Sequence, residues 1–435
     1  MPEVPVLACI ALDQGKIGNV HQVTSQVIIK KEADMKIALA LSGGGFRATV
    51  FHLGVLARIA ADEQDLFSQV TYLSTVSGGS LCTGLVYSIN GFRWPTAKDY
   101  LEQIVLTARR MMTTYDLQGS LLRRALRHLG SILETRSDDL SELLREGWGV
   151  TAQLHEVPSH PRWLINATCY ETAKNWRFEP HRMGDYVFGY SRDTNLPLAD
   201  ALAASAGFPG LIGALALKTG ERTWFRYKHS GAEDPYTSLA VQQTWETTPI
   251  TPAFPEVHLW DGGVYDNHGL EGLHDFSHGW RNNVDFLLVS DASGTSSAPP
   301  YRQRVKALYF MVTGIMMDQI RSLRARAVLD RITQHDDDGS YLKIGNSCHK
   351  VLTEARRTQD LETYCPMCMD ETAVSQAAAF PTMIRKLSQA EFDLLFRHGF
   401  EVADYTLYAH HADTSLPARF KFLGYESIRN QIGFN

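Results

Sequence analysis

Three short segments carry residue types suited to acyl-transfer chemistry. Residues 36 to 49 read KIALALSGGGFRAT, an apolar strand that empties into Gly43, Gly44 and Gly45 before a helix from about Ala48 to Ala61. Backbone N–H groups left uncovered at a helix start can stabilise a developing oxyanion. Thr75-Val76-Ser77-Gly78-Gly79 follows, with an apolar lead-in from Val70 to Leu73 and a predicted helix over Leu81 to Tyr87. One hydroxyl between small residues at a strand-to-helix turn reads as a nucleophile elbow, whose strained backbone crowds out larger neighbours. Gly78 and Gly79 meet that demand, whereas Thr75 stands where the G-x-S-x-G pattern has its first glycine. Val257 to Trp260 reads as a strand, and it ends in Asp261-Gly262-Gly263, which puts a carboxylate where a proton acceptor is useful.

Each segment taken singly has a plainer reading. A glycine triplet can be only a turn, Ser77 a helix N-cap, and Asp261-Gly262 a strand-ending turn. Phosphate binding by Gly43 to Gly45 is disfavoured, because neither a Gly-Lys-Ser/Thr ending nor a G-x-G-x-x-G spacing is present. Three such segments in this order point instead to a serine hydrolase. Imidazole has the better-matched pKa for a general base, so His52 and His268 stand as alternatives to Asp261.

In that order, G-G-G-F-R-A, a small-residue serine elbow and D-G-G-V-Y-D-N-H-G resemble a patatin-like phospholipase. The resemblance runs over roughly residues 35 to 295. It includes Leu164 to Thr168 and Ala203 to Gly210, and the C-terminal third is matched only loosely. It implies a Ser-Asp dyad: Ser77 attacks an ester carbonyl, Asp261 takes the proton, and water later releases the acid from an acyl-enzyme. Gly43, Gly44, Gly45, Phe46 and Arg47 would form the oxyanion loop, with Gly78 and Gly79 completing the elbow. Arg47 either reinforces the anion hole or anchors a local carboxylate. No cofactor and no catalytic metal are implied, and no calcium-binding loop is recognised; Asp336 to Gly339 reads as a solvated turn. The expected substrate is a phospholipid or lysophospholipid at a membrane surface. Three rivals stay open: a transacylase, a toxic lipase effector switched on by a ligand or protein, and a non-catalytic acyl-binding protein, which Thr75 would favour.

The elements that must position these residues follow from the pattern of apolar runs. Runs at 36–41, 70–73, 163–168, 257–260 and 284–289 alternate with helical stretches, which predicts an α/β fold with a mainly parallel central sheet and helical C-terminal additions. A chain of 435 residues with 44% hydrophobic content can bury a large core. The expected organisation is an N-terminal extension (1–34), a hydrolase core (35–295) and a C-terminal helical region (296–435) packed on it. A net charge of −6 gives no general attraction to nucleic acid polymers or anionic membranes. Val6 to Leu12 lacks a basic flank, and no apolar run is long enough to span a bilayer, so a cytoplasmic protein meeting membranes peripherally is expected.

Two stripes could make that peripheral contact. Leu101 to Leu133 interleaves Arg109, Arg110, Arg123, Arg124 and Arg127 with leucines, and Tyr301 to Ile332 carries Leu308, Met311, Val312, Ile315, Met316, Ile320 and Leu323. Either spacing also suits core packing. Cys348, His349, Cys365 and Cys368 have the spacing of a structural zinc site, although adjacent Cys and His rarely face one metal. Lys228 to Glu256 reads as a lid or a surface insertion. Ser388-x-x-Glu391 reads as a capping box opening a helix that runs to His398-Gly399.

Overall fold

The computed structural model describes residues 35–127, 136–210, 212–228, 246–294, 301, 303–335, 338–413 and 420–434. The N-terminal extension therefore lies outside the described residues, as does most of the Lys228 to Glu256 stretch. Twelve strands form one sheet: β1 Ile37–Leu41, β2 Val70–Val76, β3 Arg162–Cys169, β4 Lys174–Glu179, β5 Arg182–Asp185, β6 Gly189–Ser191, β7 Leu215–Lys218, β8 Trp224–Tyr227, β9 Thr247–Ile250, β10 Glu256–Asp261, β11 Phe286–Asp291 and β12 Gly339–Lys343. The order is β12-β11-β1-β2-β3-β4-β5-β6-β8-β9, with β10 pairing to both β3 and β7. From β12 to β3 all pairings are parallel, and from β3 onward they are antiparallel.

Parallel strands covered on both faces read as continuous apolar runs. Every residue of β1, β3 and β11 is buried. Alternation then divides their side chains between two layers. Ile37, Leu39, Leu41, Phe286 and Leu288 join the large cluster beneath the N-terminal helices, while Ala38, Ala40, Leu287 and Val289 join a smaller one containing Val328.

Helix α1 (Gly45–Ala60) follows β1, α2 (Gly78–Ile89) follows β2, and α3 (Leu198–Ser205) packs near β3 and β10. Later come α4 (Arg304–Tyr309), a π-helical turn (Phe310–Met316) and α5 (Met317–Gln334), and finally α6 (Gln389–His411). The capping box is formed: Ser388 Oγ accepts from the Glu391 N–H at 3.2 Å, and Glu391 Oε2 accepts from the Ser388 N–H at 2.8 Å.

The expected stop of that helix at Gly399 is corrected. Helix α6 continues to His411, because Gly399 serves close packing and not termination. A Cβ at Gly399 would stand 1.9 Å from Phe51 O, and one at Gly54 would stand 2.0 Å from Phe396 O. The two helices cross backbone to backbone, which only glycine allows at these points.

The C-terminal region is more than an addition. It supplies β12, which extends the parallel sheet beside β11, and its helix α6 lies against α1. In the basic stripe starting at Leu101, Leu101, Leu117 and Leu121 are buried. Arg109 forms a two-point pair with Asp393 at 2.6 and 2.7 Å, and Arg124 pairs with Glu142 and Glu146. Leu122 and Arg123 are exposed, so packing accounts for most but not all of the described part of that stripe. Among the described residues no helix is long and apolar enough to cross a membrane.

Candidate active site

Strand β3 brings the elbow and the aspartate together. Strand β2 runs parallel to β3 until Val76 lies opposite Asn166, and β10 runs antiparallel until Asp261 lies opposite Ala167. The two strands therefore approach end to end along one neighbour. Ser77 leaves the first exactly where Asp261 closes the second, so residues 184 positions apart in sequence face each other across one register step.

Ser77 has φ 50° and ψ −115°, a left-handed conformation unusual for a residue with a side chain. This turn is possible because its neighbours are small: a Cβ at Gly78 would lie 2.3 Å from Gly45 O, and one at Gly79 2.3 Å from Leu41 O. The elbow is thereby pressed against the glycine loop. Thr75 is accommodated in place of glycine through a directed chain of hydroxyls. Trp163 Nε1 donates to Thr75 Oγ1 at 2.9 Å, and Ser205 Oγ donates to Asn166 O at 2.7 Å. Each hydroxyl has one proton, so Thr75 must donate to Ser80 and Ser80 to Ser205, both at 2.8 Å.

Ser205 closes this chain and also holds both halves of the site. Its Oγ accepts from the Ser77 N–H at 3.0 Å, and its backbone oxygen accepts from the Gly262 N–H at 3.2 Å. Ser205→Ala would leave the buried Ser77 N–H and the Ser80 hydroxyl without an acceptor, costing about 1–3 kcal/mol. A loosened elbow is expected to lower kcat by roughly 10- to 100-fold with KM little changed, since misplacement of a nucleophile affects the reacting step. Steady-state kinetics with a soluble ester separates the two constants; an unchanged kcat would remove Ser205 from this positioning role.

Asp261 is buried, and its Oδ1 accepts from the Gly263 N–H at 2.7 Å. Its Oδ2 has no hydrogen-bond partner among the described residues. Burial pushes the carboxyl up to about 7, while the Gly263 N–H and the nearby Ser77 hydroxyl pull it partly back. Ser77 and Asp261 are therefore neighbours in a geometry looser than a formed hydrogen bond.

The glycine loop has fewer available donors than its sequence suggests. The Gly43 N–H donates to Asn267 O at 3.0 Å, and the Phe46 N–H donates to Met383 O at 2.8 Å. This removes Gly43 and Phe46 as amide donors to a substrate. Gly44 (φ 147°) and Gly45 (φ 60°) take backbone conformations that favour glycine, and their N–H groups begin helix α1 with no such backbone partner among the described residues. The Arg47 guanidinium donates to Ala292 O at 3.0 Å and to Phe380 O. Burial lowers its pKa to about 10, and Asp291 partly opposes that. Its hydrogen bonds tie the loop to the ends of two other segments, so it anchors backbone carbonyls instead of the local carboxylate expected as one alternative.

Both candidate histidines are buried and occupied. His52 Nε2 lies 2.9 Å from Ser42 O, and its Nδ1 lies 2.8 Å from Ser290 Oγ. Burial lowers its pKa to about 4, so the neutral ring donates from Nε2 to the carbonyl and accepts at Nδ1. His268 Nε2 lies 3.1 Å from the Tyr341 hydroxyl and 3.4 Å from Asp291 Oδ2, while that hydroxyl donates to Asp291 at 2.7 Å. Burial raises the Asp291 carboxyl, but His268, Arg321 and Ser293 outweigh it and hold the group well below the usual range.

A cavity of about 720 Å³ opens over Ser77 and Asp261. Leu81, Phe208, Ile212, Met317, Met383 and Ile384 give it an apolar wall. Its polar side includes Asn267, Ser293, Asp318 and Arg321. The sequence reading missed the wall from Ala379 to Ile384, whose link to the loop runs through backbone carbonyls. It also passed over Asn267, although this residue lies within the D-G-G-V-Y-D-N segment; its Nδ2 donates to Ser293 Oγ at 2.7 Å.

The zinc reading is not met. His349 is exposed while Cys348 is buried, so the adjacent pair does not converge. Cys348 does lie beside Cys368 and Cys365; the Cys368 contact, followed by burial, raises its thiol pKa, and the Cys365 contact partly opposes that. Among the described residues, no group of three or more His, Cys, Asp or Glu side chains is arranged to hold a metal ion.

A family model described as patatin-like phospholipase matches residues 39–274 of the chain. No curated protein matches. Among solved structures, human GIVD cytosolic phospholipase A2 aligns with 13% identity and a TM-score of 0.45, over 91% of this chain and 62% of that one. The chain thus spans less than two thirds of that protein's length. VipD from Legionella pneumophila aligns with 12% identity and a TM-score of 0.31, over 92% of this chain and 73% of that one.

Proposed function

Since the chain belongs to the patatin-like phospholipase family, we propose that it is a lipid acyl hydrolase working through Ser77 and Asp261, with phospholipid or lysophospholipid acyl esters as substrates. The observation that carries this reading is the buried Asp261 Oδ2, unpartnered among the described residues and beside the strained Ser77 hydroxyl at the base of an apolar cavity. A carboxylate with a pKa of about 7 is a better proton acceptor than an ordinary aspartate, and no third residue is needed to reach that value.

In this mechanism the Ser77 Oγ attacks the ester carbonyl carbon as its proton passes to Asp261 Oδ2. The carbonyl oxygen gathers negative charge beside the Gly44 and Gly45 N–H groups, whose positions are set before substrate arrives. Collapse of the tetrahedral species breaks the ester C–O bond, and Asp261 returns the proton to the leaving alcohol. Water then repeats the attack on the acyl-enzyme, with Asp261 as base, and the fatty acid departs. The acyl chain lies along Leu81, Phe208 and Ile212, and the cavity volume is within the usual span of small-ligand sites.

The chemistry is tested by measuring fatty acid released from mixed phospholipid vesicles by wild type and by His268→Ala. Release by both, with the variant within about tenfold of wild type, is expected, since His268 bonds to Tyr341 and Asp291 and not to Ser77. Activity confined to wild type, in a variant whose circular dichroism is unchanged, would instead make His268 the base. No release from any phospholipid or lysophospholipid would exclude lipid acyl hydrolysis as stated.

A further inference from the structure

We propose that the helical run from Arg304 to Gln334 is the surface by which this protein lies on an anionic phospholipid bilayer, with the Ser77 cavity opening beside the contact. The inference rests on the acyl-hydrolase reading above and assigns the face that would meet the substrate's membrane.

Leu308, Met311, Ile315, Met316, Ile320 and Leu323 recur every three or four residues along the run, and their exposures range from 38% to 64%. Such a stripe on a helix surface marks an interaction face, since soluble proteins seldom expose a contiguous apolar patch of this kind without use. The stripe is held on a fixed support. Val328 is buried in the smaller core cluster, Arg324 pairs with Asp266 and Glu271, and Arg331 pairs with Asp338.

Two observations select a membrane as the occupant. First, the same run lends Gly314, Met317, Asp318 and Arg321 to the wall of the cavity, so the stripe adjoins the path by which an acyl chain would reach Ser77. A lipid leaving a bilayer at this face would cross little water. Second, the run contains six Lys or Arg and two Asp within a chain of net charge −6, and Arg304, Lys306 and Arg326 are exposed. An apolar stripe flanked by basic residues suits the headgroup boundary of an anionic leaflet. A two-fold pairing with a second copy would set these cations against their own counterparts.

The test uses the full chain carrying Ser77→Ala, so binding is read without turnover. Co-sedimentation with vesicles of phosphatidylcholine plus phosphatidylglycerol is compared with the same chain bearing Leu308→Gln, Ile315→Gln and Leu323→Gln. These three side chains lie outside the cavity wall, and circular dichroism checks the fold. A loss of vesicle affinity of more than ~100-fold is expected, from removing three inserted apolar side chains. With Ser77 restored, the triple variant should hydrolyse a water-soluble short-chain ester at the parent rate and vesicle phospholipid far more slowly. Equal vesicle binding by parent and triple variant would overturn the proposal. So would a parent dimer that the three changes convert to monomer without altering vesicle binding, since the face would then belong to a second copy. If wild type hydrolyses no ester while the parent binds vesicles and the triple variant does not, the surface stands and the hydrolase reading alone fails.

Discussion

Ser77→Gly is expected to give a protein that is more stable than wild type and almost inactive. Ser77 occupies φ 50° and ψ −115°, where a side chain costs on the order of 1–3 kcal/mol. Glycine relieves that strain and loses about 0.5–1 kcal/mol of it to the entropy of a more flexible unfolded chain. The net gain is about 0–2.5 kcal/mol, visible as a higher urea midpoint with an unchanged slope. Activity should fall on the order of 10⁴-fold or more, because no acyl-enzyme can form. Ser77→Ala should lose the same activity and keep the strain. The pair of variants separates the two effects: a stabilised, inactive Ser77→Gly beside an unstabilised, inactive Ser77→Ala identifies strain held at a nucleophile. If Ser77 were only an N-cap, Ser77→Ala would cost stability and leave hydrolysis intact.

Asp261 sets the second large expectation, because the same burial that would poise it for the proposed catalysis works against the fold. Catalysis needs the carboxylate, so kcat/KM should rise about tenfold per pH unit at acid pH and level off above about 7. Stability runs the other way. The unfolded carboxyl titrates near the ordinary aspartate value of 3.8 and the folded one near 7, so between these values the native state holds a proton that the unfolded state has released. The contribution is fully present below about 4, declines as pH rises through the window, and is lost above about 7. Asp261→Asn carries no such charge. It should be inactive and, at pH 8, more stable than wild type by a few kcal/mol, with the difference vanishing near pH 4. Urea titrations at both pH values measure this directly, and a variant less stable at pH 8 would contradict a buried charge at this position.

The two groups proposed to react were legible in the sequence because chemistry restricts their immediate neighbours. Ser77 needs Gly78 and Gly79 for backbone approach, and Asp261 needs the Gly263 N–H that meets its Oδ1. What brings the two together was not legible, since it lies in the register of β2 and β10 against β3 and no side chain announces a register. The apolar runs located the parallel strands for a similar reason: burial on both faces leaves a continuous signature, as in β1 and β11.

Other features were hidden by ambiguity in what a residue type means. Gly399 looked like a helix stop, but glycine also permits close helix crossing, and only the facing Phe51 carbonyl distinguishes the two uses. In the glycine loop, Gly43 and Phe46 looked as available as Gly44 and Gly45 until the carbonyls of Asn267 and Met383 were seen to occupy them. The cavity wall at Ala379 to Ile384 lies more than three hundred residues from the loop it touches. Its attachment through Arg47 and backbone oxygens leaves no motif in its own sequence.

The central claim, that Ser77 is acylated with Asp261 as the proton acceptor, is tested most directly by trapping the acyl-enzyme. Wild type is mixed with a chromogenic fatty-acyl ester, quenched in acid during turnover, and examined by intact mass and peptide mapping. The account predicts a mass increase of one acyl group on the peptide containing Ser77, abolished by Ser77→Ala and strongly reduced by Asp261→Asn. Acylation mapped to another residue, or hydrolysis that proceeds at the wild-type rate in Ser77→Ala, would contradict it.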